Sequence, residues 1–165
     1  MLYFSTQDSS HRVTLQEAVL KGMPPVGGLY LPESLPVMPD KFLRNLPEMT
    51  FQALSVEIAK TLLGDDVPAE ILQNIIVDAL DFDTPLINIT EKIKALELYH
   101  GPTLAFKDVG ARFMSRLMAY FNRGNDRHLN ILVATSGDTG SAVANGFSGC
   151  PASTSLCFIR LARSA

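Results

Sequence analysis

Along the chain, apolar residues recur first at helical spacing and later in short runs that alternate with helices. In TLQEAVLKG, Leu15, Ala18 and Val19 share one helical face, Thr14 and Glu17 stand at capping-box spacing, and Gly22 suits the position after the last turn. A short helix is predicted there. The run MPPVGGLYLPESLPVMP is dense in proline and glycine around a short apolar stretch, which predicts an extended segment or strand between turns. Thr50 can cap a second helix in TFQALSVEIAKTLLGDD, whose Phe51, Leu54, Ile58 and Leu62 are expected to be buried. A third helix is expected from Pro68, which is acceptable at the first helical position, with Ile71, Leu72, Ile75, Ile76 and Ala79 turned inward.

Beyond these helices the runs PLINIT and ALELYH are short and apolar or alternating, and read as strands. DVGARFMSRLMAYFNRG places Val109, Phe113, Leu117 and Phe121 on a helical row, and Gly124 can end that helix. NILVAT is uncharged and partly β-branched, so a buried strand is expected, and SGDTG turns it into another helix, SAVANGF. Strands alternating with helices imply an α/β fold with a largely parallel sheet, preceded by a mainly helical amino-terminal region. No internal repeat or low-complexity tract is visible.

Composition narrows the function classes. Of 165 residues, 47% are hydrophobic and 19% charged, a globular balance, and the formal net charge of -3 leaves no basic excess for nucleic acid. The start MLYFSTQDSSHRV lacks a basic region followed by a long apolar run, so neither a secretory leader nor a membrane span is expected, and a cytoplasmic location is. Cys150 and Cys157 have no histidine partner at metal-site spacing, so neither a zinc site nor a disulfide framework is expected.

Two short stretches carry candidate chemistry. In HGPTLAFKD, Lys107 opens a helix, where partial positive charge from unpaired N–H groups disfavours an ammonium. Enclosure by Phe106 and its neighbours would act the same way and yield an amine suited to Schiff-base chemistry. The other reading is an exposed lysine on a solvated face. In SGDTG, Gly137 and Gly140 allow close backbone approach, the following helix offers N–H groups to an anion, and Ser136 and Thr139 add hydroxyls. An ordinary turn with Asp138 or Thr139 as N-cap is equally compatible. The loop lacks the Gly-Lys-Ser/Thr of a P-loop and the third glycine of a dinucleotide fingerprint. His100 reads as a hydrogen-bonded structural residue, Asp108 as a carboxylate favoured at a helix start, Asp65 and Asp66 as a solvated loop, and Met114 and Met118 as core or its margin.

Together, ELYHGPTLAFKD, the following ILVATSGDTGSAVA and the early GGLYLPESLP resemble the threonine synthases, pyridoxal-phosphate enzymes of the tryptophan-synthase-β-like fold (fold type II). The resemblance runs from the start to about Gly149. It implies that Lys107 holds pyridoxal 5'-phosphate as a Schiff base and then moves protons while O-phospho-L-homoserine and water become L-threonine and phosphate. By family, then, the chain would be a carbon–oxygen lyase. The resemblance also implies that Ser136, Gly137, Thr139 and Gly140 bind substrate, with Asp138 near the oxygen substituent of the cofactor ring. Related enzymes often have Asn in place of Asp138. The alternatives are a phospho-lyase that eliminates phosphate without forming threonine, and a catalytically inactive fragment.

On this reading residues 1–94 form the amino-terminal region and 95–149 the start of the cofactor domain. Residues 150–165 form an atypical tail: CPASTSLCFIRLARSA breaks the family's composition where a loop, an apolar strand and a basic segment are expected. A suitable choice of codons for this tail spells, in a shifted frame, a stretch like the family's continuation. A chain truncated or frameshifted after about Gly149, lacking the family's later phosphate-gripping segment and inactive alone, is therefore expected.

Overall fold

The structure, a computed structural model, describes residues 1–125, 128–135, 137–151 and 153–159. Two compact units divide the chain at Val77 and Asp78.

The first unit opens with a small sheet whose third strand falls in the predicted extended segment and whose first two strands were not anticipated. Strands β1 (Leu2–Ser5), β2 (Arg12–Thr14) and β3 (Tyr30–Pro32) pair antiparallel in the order β2-β1-β3, with Tyr3 opposite Val13. These strands are too short for alternation to stand out, yet Tyr3 and Ser5 are buried, and Ser5 Oγ donates to the Gly27 carbonyl at 3.0 Å. Helix α1 (Leu15–Lys21) carries the predicted capping box, with the Glu17 N–H on Thr14 Oγ1 at 3.2 Å, and ends at Gly22 with φ 71°. Helix α2 (Asp40–Asn45) and a single 3₁₀ turn at Leu46–Glu48 follow.

Helix α3 (Phe51–Leu63) is capped as expected, the Ala53 N–H meeting Thr50 Oγ1 at 3.2 Å. Its buried residues are Val56 and Ala59, while Ile58 is exposed and Phe51, Leu54 and Leu62 are half-buried. The helix is apolar around much of its circumference, so sequence spacing did not single out the covered side. In α4 (Ala69–Ala79) Leu72, Ile75, Ile76 and Ala79 are buried as predicted, with Ile71 at the margin; Pro68 stands just before the first turn and accepts the Leu72 N–H at 3.0 Å. Asp66 is more than a solvated loop residue. It pairs with the amino terminus at 3.3 Å and adds to the effect of burial in holding the Tyr3 phenol above its ordinary pKa.

The second unit contains an antiparallel hairpin, β4 (Leu86–Asn88) with β5 (Lys94–Leu96), then α5 (Lys107–Phe121), β6 (Leu129–Thr135), α6 (Asp138–Phe147) and β7 (Ser153–Ile159). β6 and β7 are parallel, in register from Leu129 with Ser153 to Thr135 with Ile159, and α6 is their crossover. Residues expected to be an atypical tail thus contain a strand, consistent with the β-forming Thr154, Phe158 and Ile159. The architecture is mixed α/β with a parallel pair, as the alternation of helix and strand predicts.

The expectation that β6 is buried fails, and the helical row on α5 is only partly covered. β6 is half-buried on one face and exposed on the other, Leu132 being 67% exposed. On α5 the buried residues are Asp108, Ala111, Arg112, Ser115, Leu117 and Met118, whereas Val109, Phe113 and Phe121 are only half-buried. A strict four-residue row drifts about 40° around a helix at each step, so it cannot stay on one face. α6 packs closely on α5, because a methyl group on Gly146 would lie 3.0 Å from the Ala111 carbonyl oxygen. Among the described residues no helix is long and apolar enough to cross a membrane.

Candidate active site

Lys107 is the first residue of α5, and its N-cap residue, Phe106, makes no side-chain cap. The side chain is half-buried, with Nζ 4.5 Å from the centroid of the Phe106 ring, a cation–π distance. Phe106 itself is 61% exposed, so it is a ring on which the amine rests rather than a wall enclosing it. Lys107 also borders a cleft of about 540 Å³ whose other lining residues are mainly apolar: Leu98, Phe106, Val109, Ala111, Met114 and, from α6, Val143. That volume lies in the range of small-molecule sites.

The glycine loop reaches the same cleft. Thr139, in the first turn of α6, lines it together with Lys107. The N-cap of α6 is Gly137, so the helix begins at Asp138, and neither Asp138 nor Thr139 is the cap. Glycine has no side chain with which to satisfy the first-turn N–H groups, which leaves that end suited to an anion. The Gly137 N–H is itself held by Thr135 Oγ1 at 3.3 Å. Asp138 is exposed in the first turn. Gly140 is buried, and a methyl group there would come within 2.7 Å of Thr135 Cγ2, so its small size serves helix-on-strand packing. Ser136 lies outside the described residues.

Met114 and Gly110, read from sequence as core margin or passed over, line the cleft with Lys107. Their spacing from Lys107, three and seven residues along one helix, is the signal that would have found them. Among the described residues no group of three His, Cys, Asp or Glu side chains stands ready for a metal ion.

Beside Leu98 lies a small polar group. His100 Nε2 is 2.7 Å from Glu97 Oε2 and its ring stacks on Tyr99 with centroids 4.7 Å apart. The hydrogen bond from His100, then one from Tyr99, holds the Glu97 carboxyl below its ordinary pKa, and the same carboxylate holds the Tyr99 phenol above its own. A depressed carboxyl pKa stabilises the folded form above the unfolded value, and that contribution is lost as pH falls through the folded value. Carbon-13 NMR titration should therefore find Glu97 ionising below an ordinary glutamate, and His100→Ala should return it toward that value. An unmoved midpoint would show that the histidine contact does not persist in solution.

The chain is similar to known proteins over most of its length. Residues 2–80 match the family model described as threonine synthase N terminus. The threonine synthase of Escherichia coli K12 is 37% identical over 151 residues, covering 92% of this chain and 35% of the relative. Its crystal structure superposes with a TM-score of 0.86 at 36% identity, covering 95% of this chain and 36% of that one. The threonine synthase of Brucella melitensis, solved with PLP bound, gives a TM-score of 0.90 at 30% identity, with 100% of this chain and 37% of that one covered. The chain spans about a third of the length of the curated relatives it matches.

Proposed function

We propose that this chain, which belongs by sequence and fold with the amino-terminal part of the threonine synthases, supplies the lysine-bearing part of a site for pyridoxal 5'-phosphate and O-phospho-L-homoserine. The observation that carries the reading is that Lys107 on α5 and Thr139 on α6 line one cleft. The donor set fits the cofactor. A primary amine at the edge of an apolar cleft suits an aromatic aldehyde, and a helix start with glycine as its N-cap suits an anionic group.

When bound, pyridoxal phosphate supplies an electron sink for carbanion chemistry at an amino-acid substrate. Lys107 would hold it through Nζ, and the same amine, once free, would take and return protons at the substrate's α and β carbons. The backbone N–H groups of Thr139 and Gly140, with the hydroxyls of Thr139 and Ser136, would orient the substrate carboxylate, and Gly137, whose N–H is held by Thr135 Oγ1, would shape the turn that brings the substrate close. Asp138 would sit near the oxygen substituent of the cofactor ring. On this reading residues 95–149 begin the cofactor domain, the product is L-threonine with phosphate, and the reaction belongs to the cytoplasm.

Titration of the chain with pyridoxal phosphate is expected to saturate at one cofactor per chain. O-phospho-L-homoserine should then perturb the spectrum of the bound cofactor. Uptake that never saturates would remove the reading.

A further inference from the structure

We infer that Asp108, with Thr103, is a positioning device that fixes the loop leading into Lys107 and so aims its amine. Asp108 is fully buried. Its Oδ2 accepts the Thr103 N–H at 2.9 Å and its Oδ1 accepts the Thr103 hydroxyl at 2.6 Å, so one carboxylate holds both donors of one residue. Its own N–H donates to the Ala105 carbonyl at 3.0 Å, and the Leu104 N–H to that of Gly101, also at 3.0 Å. Residues 101–106 are thereby folded back onto the residue that follows Lys107.

Gly101 completes the arrangement. A methyl group there would lie 2.6 Å from Asp108 Oδ2 and 2.8 Å from its Cβ, so the loop closes to this distance only with glycine. Leu104 takes φ 56°, which a leucine adopts only when its surroundings require it. A helix-start carboxylate needed only for the dipole would sit exposed. This one is spent inward, on the backbone immediately before the lysine. Phe106, on which the lysine amine rests, belongs to the same loop, so the clamp sets both the root of the side chain and the ring beneath its tip.

The purpose given to the clamp rests on the reading of Lys107 as the cofactor lysine, but its test does not. Because Asp108→Ala can fail to fold, the informative variants are Thr103→Val, which removes only the hydroxyl donor, and Thr103→Ser, which keeps it. Two quantities are measured on the full chain: amide hydrogen exchange over 101–107, and the acetylation rate of Lys107 relative to the exposed Lys92 and Lys94. In Thr103→Val, exchange is expected to quicken about tenfold, and Lys107 acetylation to move toward that of the two surface lysines. Thr103→Ser should restore both, with the far-ultraviolet circular dichroism of all three proteins alike. Exchange and acetylation in Thr103→Val equal to the parent would overturn the clamp, as would failure of Thr103→Ser to restore them. Cofactor titration that never saturates, beside a clamp that behaves as described, would remove the functional reading and leave the clamp standing.

Discussion

Lys107→Ala should reduce cofactor incorporation to the background of the exposed lysines Lys92 and Lys94 while leaving the fold intact. Among the described residues no other lysine lines the cleft, and the helix-start N–H groups of α6 can hold an anion but cannot form a covalent bond to an aldehyde. Lys107→Arg should fail equally, since a guanidinium keeps the charge without offering a nucleophilic amine. The structural cost is small. Lys107 is half-buried and its amine rests on the Phe106 ring, so stability should change by no more than about 1 kcal/mol, readable in urea unfolding. A variant that unfolds, or one that still takes up cofactor selectively, would separate the lysine from the role given to it.

The largest effect on stability is expected at Arg112. This buried guanidinium donates Nε–H to the Ala79 carbonyl at 2.8 Å, and one terminal nitrogen to the Asp78 carbonyl at 2.6 Å and to Asp81 Oδ1 at 2.7 Å, all within the second unit. It therefore satisfies carbonyls that the last turn of α4 leaves without intrahelical partners. Asp81 is largely exposed, so the ion pair itself contributes little, and the cost of removal falls mainly on the buried Ala79 carbonyl. Arg112→Met is expected to destabilise the chain by about 2–4 kcal/mol in urea unfolding. Arg112→Lys should recover only part of this, because an ammonium cannot reproduce the fork. A loss below that of an ordinary surface substitution would mean that water replaces the arginine at the helix end.

Local rules were legible where one residue determines one contact. The capping box of Thr14 and Glu17, the cap at Thr50 and the strand-turn-helix around Gly137 all follow from nearest neighbours in sequence. What was not legible depends on partners distant in the chain. The hairpin of β1 and β2 is three or four residues per strand, too little for a period to emerge. The open face of β6 reflects which sides of a two-stranded sheet have cover, and its uncharged sequence reads the same with one face buried or two. At the site, Lys107 and Thr139 were named from sequence, but their meeting in one cleft needed the fold. The Asp108 clamp escaped because an acidic residue at a helix start already has a sufficient local explanation.

The central claim is that Lys107 faces the cleft of a cofactor site. Its most direct test is to mix the chain with pyridoxal phosphate, reduce with borohydride and locate the modified lysine by peptide mass. The account requires selective modification at Lys107, at a ratio to Lys92 and Lys94 that falls when Thr103→Val loosens the loop. Modification spread evenly over the lysines, or found at another one, would contradict it.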